Sequence, residues 1–419
     1  MRRRLDSSQI PGSAALHPGY DARMLDTPLL AGDRAAIAQC RERAIALLLR
    51  NAMPSGIAAA APDAARNYDA IFARDAAICA FGMALSGSSA LQETAIAGLK
   101  TLARHQAPNG QIPNFVRAGG KADFWYLGCL DATLWWLLAV DFLDAVLAPG
   151  LRRRLRAAVA PALAWLRSQE HQRLHLLVQA EASDWADIMP RAGFVLYGNA
   201  LWYRVKQRYA LPGAEATQLA FDALFDPWSA PAHGGERRAE VLREYVKSGA
   251  RRSDLYLSFV GFASWGEEGD VFGNLLAVLA GLADAARAER ILRALLAAQV
   301  HRPYPVRAVV TPIAREDPRW RAYMLRHRQN LPWQYHNGGI WPYIGAFWVI
   351  AVDRVLGRAA AERELAMLAR ANRLGGWQFN EWLHGRHGRA RGMPQQSWNA
   401  AAFLLADAAV RGAAEILPF

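Results

Sequence analysis

Tyr335-His336-Asn337-Gly338-Gly339-Ile340-Trp341-Pro342 is the stretch on which the fold turns: a polar, glycine-broken loop runs without a spacer into apolar sequence that reaches Val352. The apolar run from Ile340 to Val352 is too short to span a bilayer and reads as a buried helix. Three other segments share this grammar of polar and aromatic residues at or just before a helix start. They are Tyr68-Asp69-Ala70-Ile71-Phe72-Ala73-Arg74-Asp75, Asp131-Ala132-Thr133-Leu134-Trp135-Trp136 and Asp184-Trp185-Ala186-Asp187.

Apolar residues at helical spacing, separated by short loops rich in Gly, Pro, Asn and Asp, predict helices throughout the chain. They cover 33–50, 69–86, 89–105, 129–147, 152–168, 197–210, 214–225, 237–246, 270–283, 286–299, 340–356, 360–371 and 395–411. Sustained period-two alternation is scarce, and no break in composition marks a second domain. The expectation is an all-α chain of helical hairpins closing on themselves: an N-terminal extension over 1–34, then one toroid over 35–419. In such a ring the starts of the inner helices gather at one end, so motifs far apart in sequence can share a pocket.

Composition narrows the function. Of 419 residues, 53% are hydrophobic and 21% charged, as in a compact folded protein rather than a disordered one. The net charge of +12 invites a nucleic-acid reading, but only four of the 49 basic residues are lysines, and acids are scattered through the same segments. The densest run, Arg152-Arg153-Arg154 with Arg156, opens a predicted helix and reads as a solvated face. Neither a nucleic-acid partner nor a membrane is expected. Cys40, Cys79 and Cys129 are far apart in apolar helical contexts without CxxC spacing, which suits buried free thiols in a reducing compartment. The basic start, MRRRLDSSQIPGS, has no apolar stretch behind it, unlike a signal peptide, so a cytoplasmic location is expected. A homo-oligomer is compatible with the sequence.

Hydrolysis of a glycosidic bond needs one protonated carboxyl to donate to the leaving oxygen and one ionised carboxyl to activate water or attack carbon. Asp187, in Glu181-Ala182-Ser183-Asp184-Trp185-Ala186-Asp187, and Glu381, in Gly376-Trp377-Gln378-Phe379-Asn380-Glu381-Trp382, stand in polar, aromatic-rich loops distant from each other. Plainer readings exist for each. Asp184 and Asp187 could be turn residues, Glu381 a surface residue, and Asp75 and Asp131 helix caps. The tryptophans favour a sugar site, because Trp185, Trp333, Trp341, Trp377 and Trp382 fall in polar loops where flat rings can stack on a pyranose. No phosphate loop, HExxH or GxSxG occurs. His384 and His387 lack a second ligand pair, so neither a metal nor another cofactor is expected.

In their order these motifs resemble the six-hairpin (α/α)6 glycosidases, especially the alkaline/neutral invertases and the glucosidase domain of glycogen-debranching enzymes, over roughly residues 35–411. Tyr335 to Pro342 is similar to the invertase Tyr-His-Asn-Gly-Gly-Ser-Trp-Pro, and Asp131 to Trp136 to its Asp-Ser-Gly-Phe-Trp-Trp. The Tyr68–Asp75 segment resembles one with a Tyr-Asp start and an Arg-Asp end, and Gln396-Ser397-Trp398 a Gln-Thr-Trp near the end of such domains. The resemblance implies Asp187 as general acid and Glu381 as base, in single-step hydrolysis with inversion and without a metal. It also implies sugar contacts from Arg74, Asp75, Asp131 and His336. Tyr68, Asp184, Trp185, Asn337, Trp341, Trp377, Trp382 and Gln396 complete the expected substrate-binding set.

Trp185-Ala186-Asp187 is closer to the Trp-Met-Asp of debranching glucosidases than to the invertase pattern, leaving sucrose and short α-glucans as the leading small α-glucosides. A sugar epimerase or isomerase on the same toroid would make His336 and His384 central, but leaves the two acids without a shared task. Phosphorolysis would need no base at 381. A non-catalytic sugar-binding protein would keep the tryptophans without needing both acids.

Overall fold

The computed structural model describes residues 29–61, 68–117, 119–124, 129–229, 237–413 and 418–419. Most of the expected N-terminal extension therefore lies outside the described residues, and the first helix has already begun at Ala31.

Fourteen α-helices follow among the described residues: α1 (Ala31–Asn51), α2 (Ala73–Ala84), α3 (Ser89–Arg104), α4 (Leu130–Val146), α5 (Leu151–Arg154), α6 (Arg156–Ser168), α7 (Leu196–Arg208), α8 (Ala214–Phe225), α9 (Arg237–Gly249), α10 (Val271–Leu279), α11 (Ala285–Ala297), α12 (Pro342–Leu356), α13 (Arg358–Trp377) and α14 (Ser397–Ala408). Most lie within a few residues of their expected spans, while α13, expected over 360–371, runs on to Trp377. The helix predicted over 152–168 breaks at Leu155 into α5 and α6.

Six helices close a ring: α2 packs on α4, α4 on α7, α7 on α10, α10 on α12, α12 on α14, and α14 back on α2. A second layer surrounds them, with α3 against α2, α6 against α4, α8 against α7, α11 against α10, α13 against α12 and α1 against α14. This is the (α/α)6 toroid expected from the sequence. The two layers differ in sequence because they differ in environment. Inner helices touch protein on every side, so Leu130–Leu143 of α4 and Pro342–Val352 of α12 are buried without interruption. Outer helices bury one stripe, as α11 does with Ala288, Ile291, Leu292 and Leu295.

Aromatic rings fill the inside of the ring. Trp135 of α4 stacks on Phe272 of α10 at 6.2 Å, and Phe272 meets Tyr343 and Phe347 of α12 at 5.5 and 5.1 Å. Truncating such a buried ring leaves a cavity that costs about 3–5 kcal/mol. The plug makes the toroid a cup rather than a tube.

Among the described residues ten strands of two or three residues occur in the loops, too short to leave a period-two signal. Those that flank the site are β3 (Ile71–Phe72), β4 (Phe115–Val116) and β5 (Ala122–Asp123) in one antiparallel sheet, and β6 (Val178–Gln179), β7 (Gly193–Val195) and β8 (Phe259–Val260) in another. Trp382–Leu383 and Ala390–Arg391 pair as β9 and β10. With β1 (Ala52–Met53) and β2 (Gly56–Ile57), they stiffen the connections that lead into the inner helices.

Candidate active site

The loops entering α2, α4, α7, α12 and α14 carry the residues singled out in the sequence, and most of these converge on one cavity of about 390 Å³. Tyr68, Arg74, Asp75, Asp184, Trp185, Asp187, His336, Trp341, Glu381 and Gln396 line it. A larger, shallower depression of about 710 Å³ lies on the outer layer around Arg152, Arg153 and Arg156, away from these loops.

Glu381 is 6% exposed, and both of its oxygens are engaged. The Tyr68 hydroxyl donates to Oε1 at 2.7 Å, and the Met393 backbone N–H donates to Oε2 at 3.0 Å. Burial raises its pKa, these two hydrogen bonds oppose the rise, and the charge of Asp187 adds to it. Gly392 makes the fit possible: a Cβ there would lie 2.4 Å from Oε2, and its φ of +70° is one that glycine adopts freely.

Asp187 sits in the connection between β6 and β7, its side chain 24% exposed, with Oδ1 3.7 Å from Nδ1 of His336. Burial, assisted by the nearby charges of Arg191 and Arg74, drives the His336 pKa well below its usual range. The imidazole is therefore neutral, and the contact is not an ion pair. Trp341 stacks on His336 at 5.2 Å and Trp185 meets it edge-on at 4.9 Å, which fixes the ring.

Asp184 differs from Asp187. It is buried, accepts from Gln179 Nε2 at 2.9 Å and from the Ala186 N–H at 2.8 Å, and so closes a turn within the acid-bearing loop. Burial raises its pKa, opposed by the Arg191 charge. Asp75 is buried with its pKa pushed up to about 7; burial is the main cause, Arg74 opposes it, and the charges of Glu381 and Asp131 add to it. Such a group can donate as well as accept hydrogen bonds near neutrality.

Four expected sugar contacts fall elsewhere. Asp131 is fully buried behind Arg74, which it holds through bonds of 2.6 and 3.2 Å to Nε and Nη2 while accepting from the Tyr197 hydroxyl at 3.0 Å. It orients the arginine rather than lining the cavity. Neither it nor Asp75 is a helix cap, since Phe72 and Cys129 occupy those positions. Asn337 is buried and bonded to both backbone groups of Ile313, at 2.7 and 2.8 Å. Trp382 is buried against Tyr335, and Trp377 lies against Phe379 and Arg373, outside the lining.

The sequence reading missed Phe72, Asn114, Phe115, Arg117, Asp123, Tyr335 and Trp398, all of which line the cavity. Four of these belong to the β4–β5 hairpin and its approach. Their only signal was the Gly119-Gly120 pair between two short apolar patches.

Residues 270–412 match the family model of alkaline and neutral invertase. Neutral/alkaline invertase 1, mitochondrial, of Oryza sativa subsp. japonica is 29% identical over 137 residues, which are 32% of this chain and 21% of that protein. Alkaline/neutral invertase E, chloroplastic, of Arabidopsis thaliana is 28% identical over 139 residues, 32% and 22% of the two chains. The chain thus matches about a fifth of the length of these relatives. Among solved structures, the GH63 mannosylglycerate hydrolase from Thermus thermophilus, in complex with Tris and D-glycerate, superposes with a TM-score of 0.61 at 16% identity, covering 87% of this chain and 99% of that one. Its complex with glucose superposes at 0.58 over the same shares. In fold the chain is an (α/α)6 toroid similar to that of the GH63 mannosylglycerate hydrolase, and over residues 270–412 its sequence matches the family model of alkaline and neutral invertase.

Proposed function

We propose that the chain is an inverting glycoside hydrolase for a small α-glucoside, with Asp187 as general acid and Glu381 as general base. The observation that carries this reading is the meeting of the two carboxyls, from loops far apart in sequence, in one cavity where they are treated differently. Glu381 accepts two hydrogen bonds, which favours its ionised form and suits a base that takes a proton from water. Asp187 opens to the cavity beside a neutral imidazole, as suits a group that hands a proton to a leaving oxygen. In an inverting enzyme the two carboxyls stand about 6.5–9.5 Å apart to admit water, against about 5–5.5 Å for a nucleophilic pair. Arg74, Asp75, Trp185, Trp341 and Gln396 would hold the sugar.

A cavity of about 390 Å³, closed below by the aromatic plug, suits one or two sugar units better than an extended polymer. Sucrose and short α-glucans cleaved from the end are the leading substrates. The buried free thiols of Cys40, Cys79 and Cys129 accord with a reducing compartment such as the cytoplasm. No helix among the described residues is long and apolar enough to cross a membrane.

A second substrate reading rests on Arg117. Its guanidinium lies over the Phe115 ring at 5.6 Å on the cavity wall, exposed, whereas Arg74 is committed to Asp131. An aglycone bearing a carboxylate would find a partner there, in line with the D-glycerate bound by the structural neighbour. Products released from sucrose, maltose, isomaltose, trehalose and glucosylglycerate test both readings. Selective cleavage of glucosylglycerate favours the second, and internal cleavage of a long glucan without terminal sugar release overturns both.

A further inference from the structure

The acid-bearing loop and the base-bearing loop are both fastened to a third segment, residues 330–341. Toward the base side, the Gly385 N–H donates to the Trp333 carbonyl at 2.8 Å, and Ile340 and Leu383 exchange backbone bonds of 2.7 and 2.8 Å. A Cβ at Gly385 would lie 2.0 Å from the Gly338 carbonyl oxygen, so these two loops lie in direct contact. Toward the acid side, beside the ring contacts of Trp185 with His336 and Trp341, one buried side chain supplies hydrogen bonds. Asn330 Nδ2 donates to the carbonyl of Ile188, the residue after Asp187, at 2.7 Å, while Asn330 Oδ1 accepts the Asn337 N–H at 2.9 Å.

We propose that Asn330 is a positioning residue that sets where Asp187 stands relative to Glu381, an inference that rests on the acid and base assignment above. Asn330 is fully buried and does not line the cavity. Its amide has its N–H groups on the acid-bearing loop and its oxygen on the hub that carries His336. Asn337 extends the hub by clasping Ile313 and by donating to the Asn330 carbonyl at 3.3 Å. Polar ties from other segments also hold the ends of the acid-bearing loop: Glu181 accepts from the Tyr323 hydroxyl at 2.6 Å, and Arg191 meets Glu268 and Asp270 at 3.2 Å each. Asn330 acts one residue from the acid.

Misplacing a proton donor matters most when the leaving group needs the proton. Alkyl glucosides need it, whereas α-glucosyl fluoride releases fluoride with little acid assistance. In Asn330→Ala, kcat/KM for an alkyl α-glucoside should fall roughly tenfold to a hundredfold more than that for α-glucosyl fluoride. The ratio is taken on one sample, so partial unfolding cancels. Asn330→Asp, which keeps an oxygen facing Asn337 but replaces the amide N–H groups on Ile188 and Met189 with a second carboxyl oxygen, should show the same ordering. Amide hydrogen exchange should quicken over 181–193 and stay unchanged over 376–396. Equal losses on both substrates, or unchanged exchange over 181–193, overturn the proposal. If Asp187→Asn loses both substrates equally, the acid assignment fails, while the exchange measurement still decides whether Asn330 clamps the loop.

Discussion

The loops that carry Asp187 and Glu381 hold their carboxyls in contrasting ways. Glu381 is bonded at both oxygens and nearly sealed from solvent. Asp187 faces the cavity beside His336, and its loop is braced by the Asp184 turn, Asn330 on Ile188, and the buried Arg191. The contrast suits two proton-transfer tasks. A base must remain ionised with a fixed lone pair, whereas an acid must keep a proton that it can release toward a substrate atom.

The largest expected effect comes from removing either group. Asp187→Asn and Glu381→Gln should each lower kcat by about a hundredfold to ten thousandfold while sugar binding, followed by tryptophan fluorescence, persists. Near-normal turnover in Glu381→Gln would remove it as the base. An inactive Asp184→Asn beside an active Asp187→Asn would move the acid role to the residue that here closes the turn.

Next comes the support beneath Arg74 on the cavity wall. Asp131→Ala leaves the Arg74 guanidinium buried without its partner, and loss of one member of such a pair costs about 3–5 kcal/mol. Urea unfolding should show that loss, and unchanged stability would mean that Arg74 finds another partner.

A smaller effect sharpens the contrast at Glu381. The Tyr68 hydroxyl stabilises the ionised carboxylate, so Tyr68→Phe raises the Glu381 pKa further. Activity needs the ionised base and disappears as pH falls through that pKa. The acidic limb of kcat/KM should therefore move to higher pH by about one unit, the worth of one hydrogen bond to a charged group. A limb that stays in place would assign it to another group. The smallest effect belongs to Trp377→Ala, which removes a ring outside the cavity and should leave kcat/KM within about threefold, as for surface changes generally.

The ring was legible because inner helices must be apolar all round and outer ones in a stripe, and α4, α12 and α11 show both patterns plainly. The candidate site was legible where its residues stand at or just before helix starts, as Arg74, Asp75 and Trp341 do. Two kinds of information were hidden. One is side-chain direction: Trp377 and Trp382 flank Glu381 in sequence, yet the backbone turns them away from the cavity. Non-glycine residues with positive φ stand one or two positions before site residues, Phe379 before Glu381, Gln395 before Gln396 and Tyr335 before His336. Such strain is held by surrounding structure, and residue type does not announce it. The other is the β4–β5 hairpin, whose two-residue strands carry no periodicity although Phe115, Arg117 and Asp123 form a cavity wall.

The central claim is that Glu381 directs water to the face of the sugar opposite the leaving group that Asp187 protonates. Proton NMR of the first turnovers on a cleaved α-glucoside tests it directly, before mutarotation blurs the product. The account predicts β-glucose as the initial product, decaying toward the equilibrium mixture. Initial release of α-glucose would contradict it, and would mean that one of the two carboxyls attacks carbon itself.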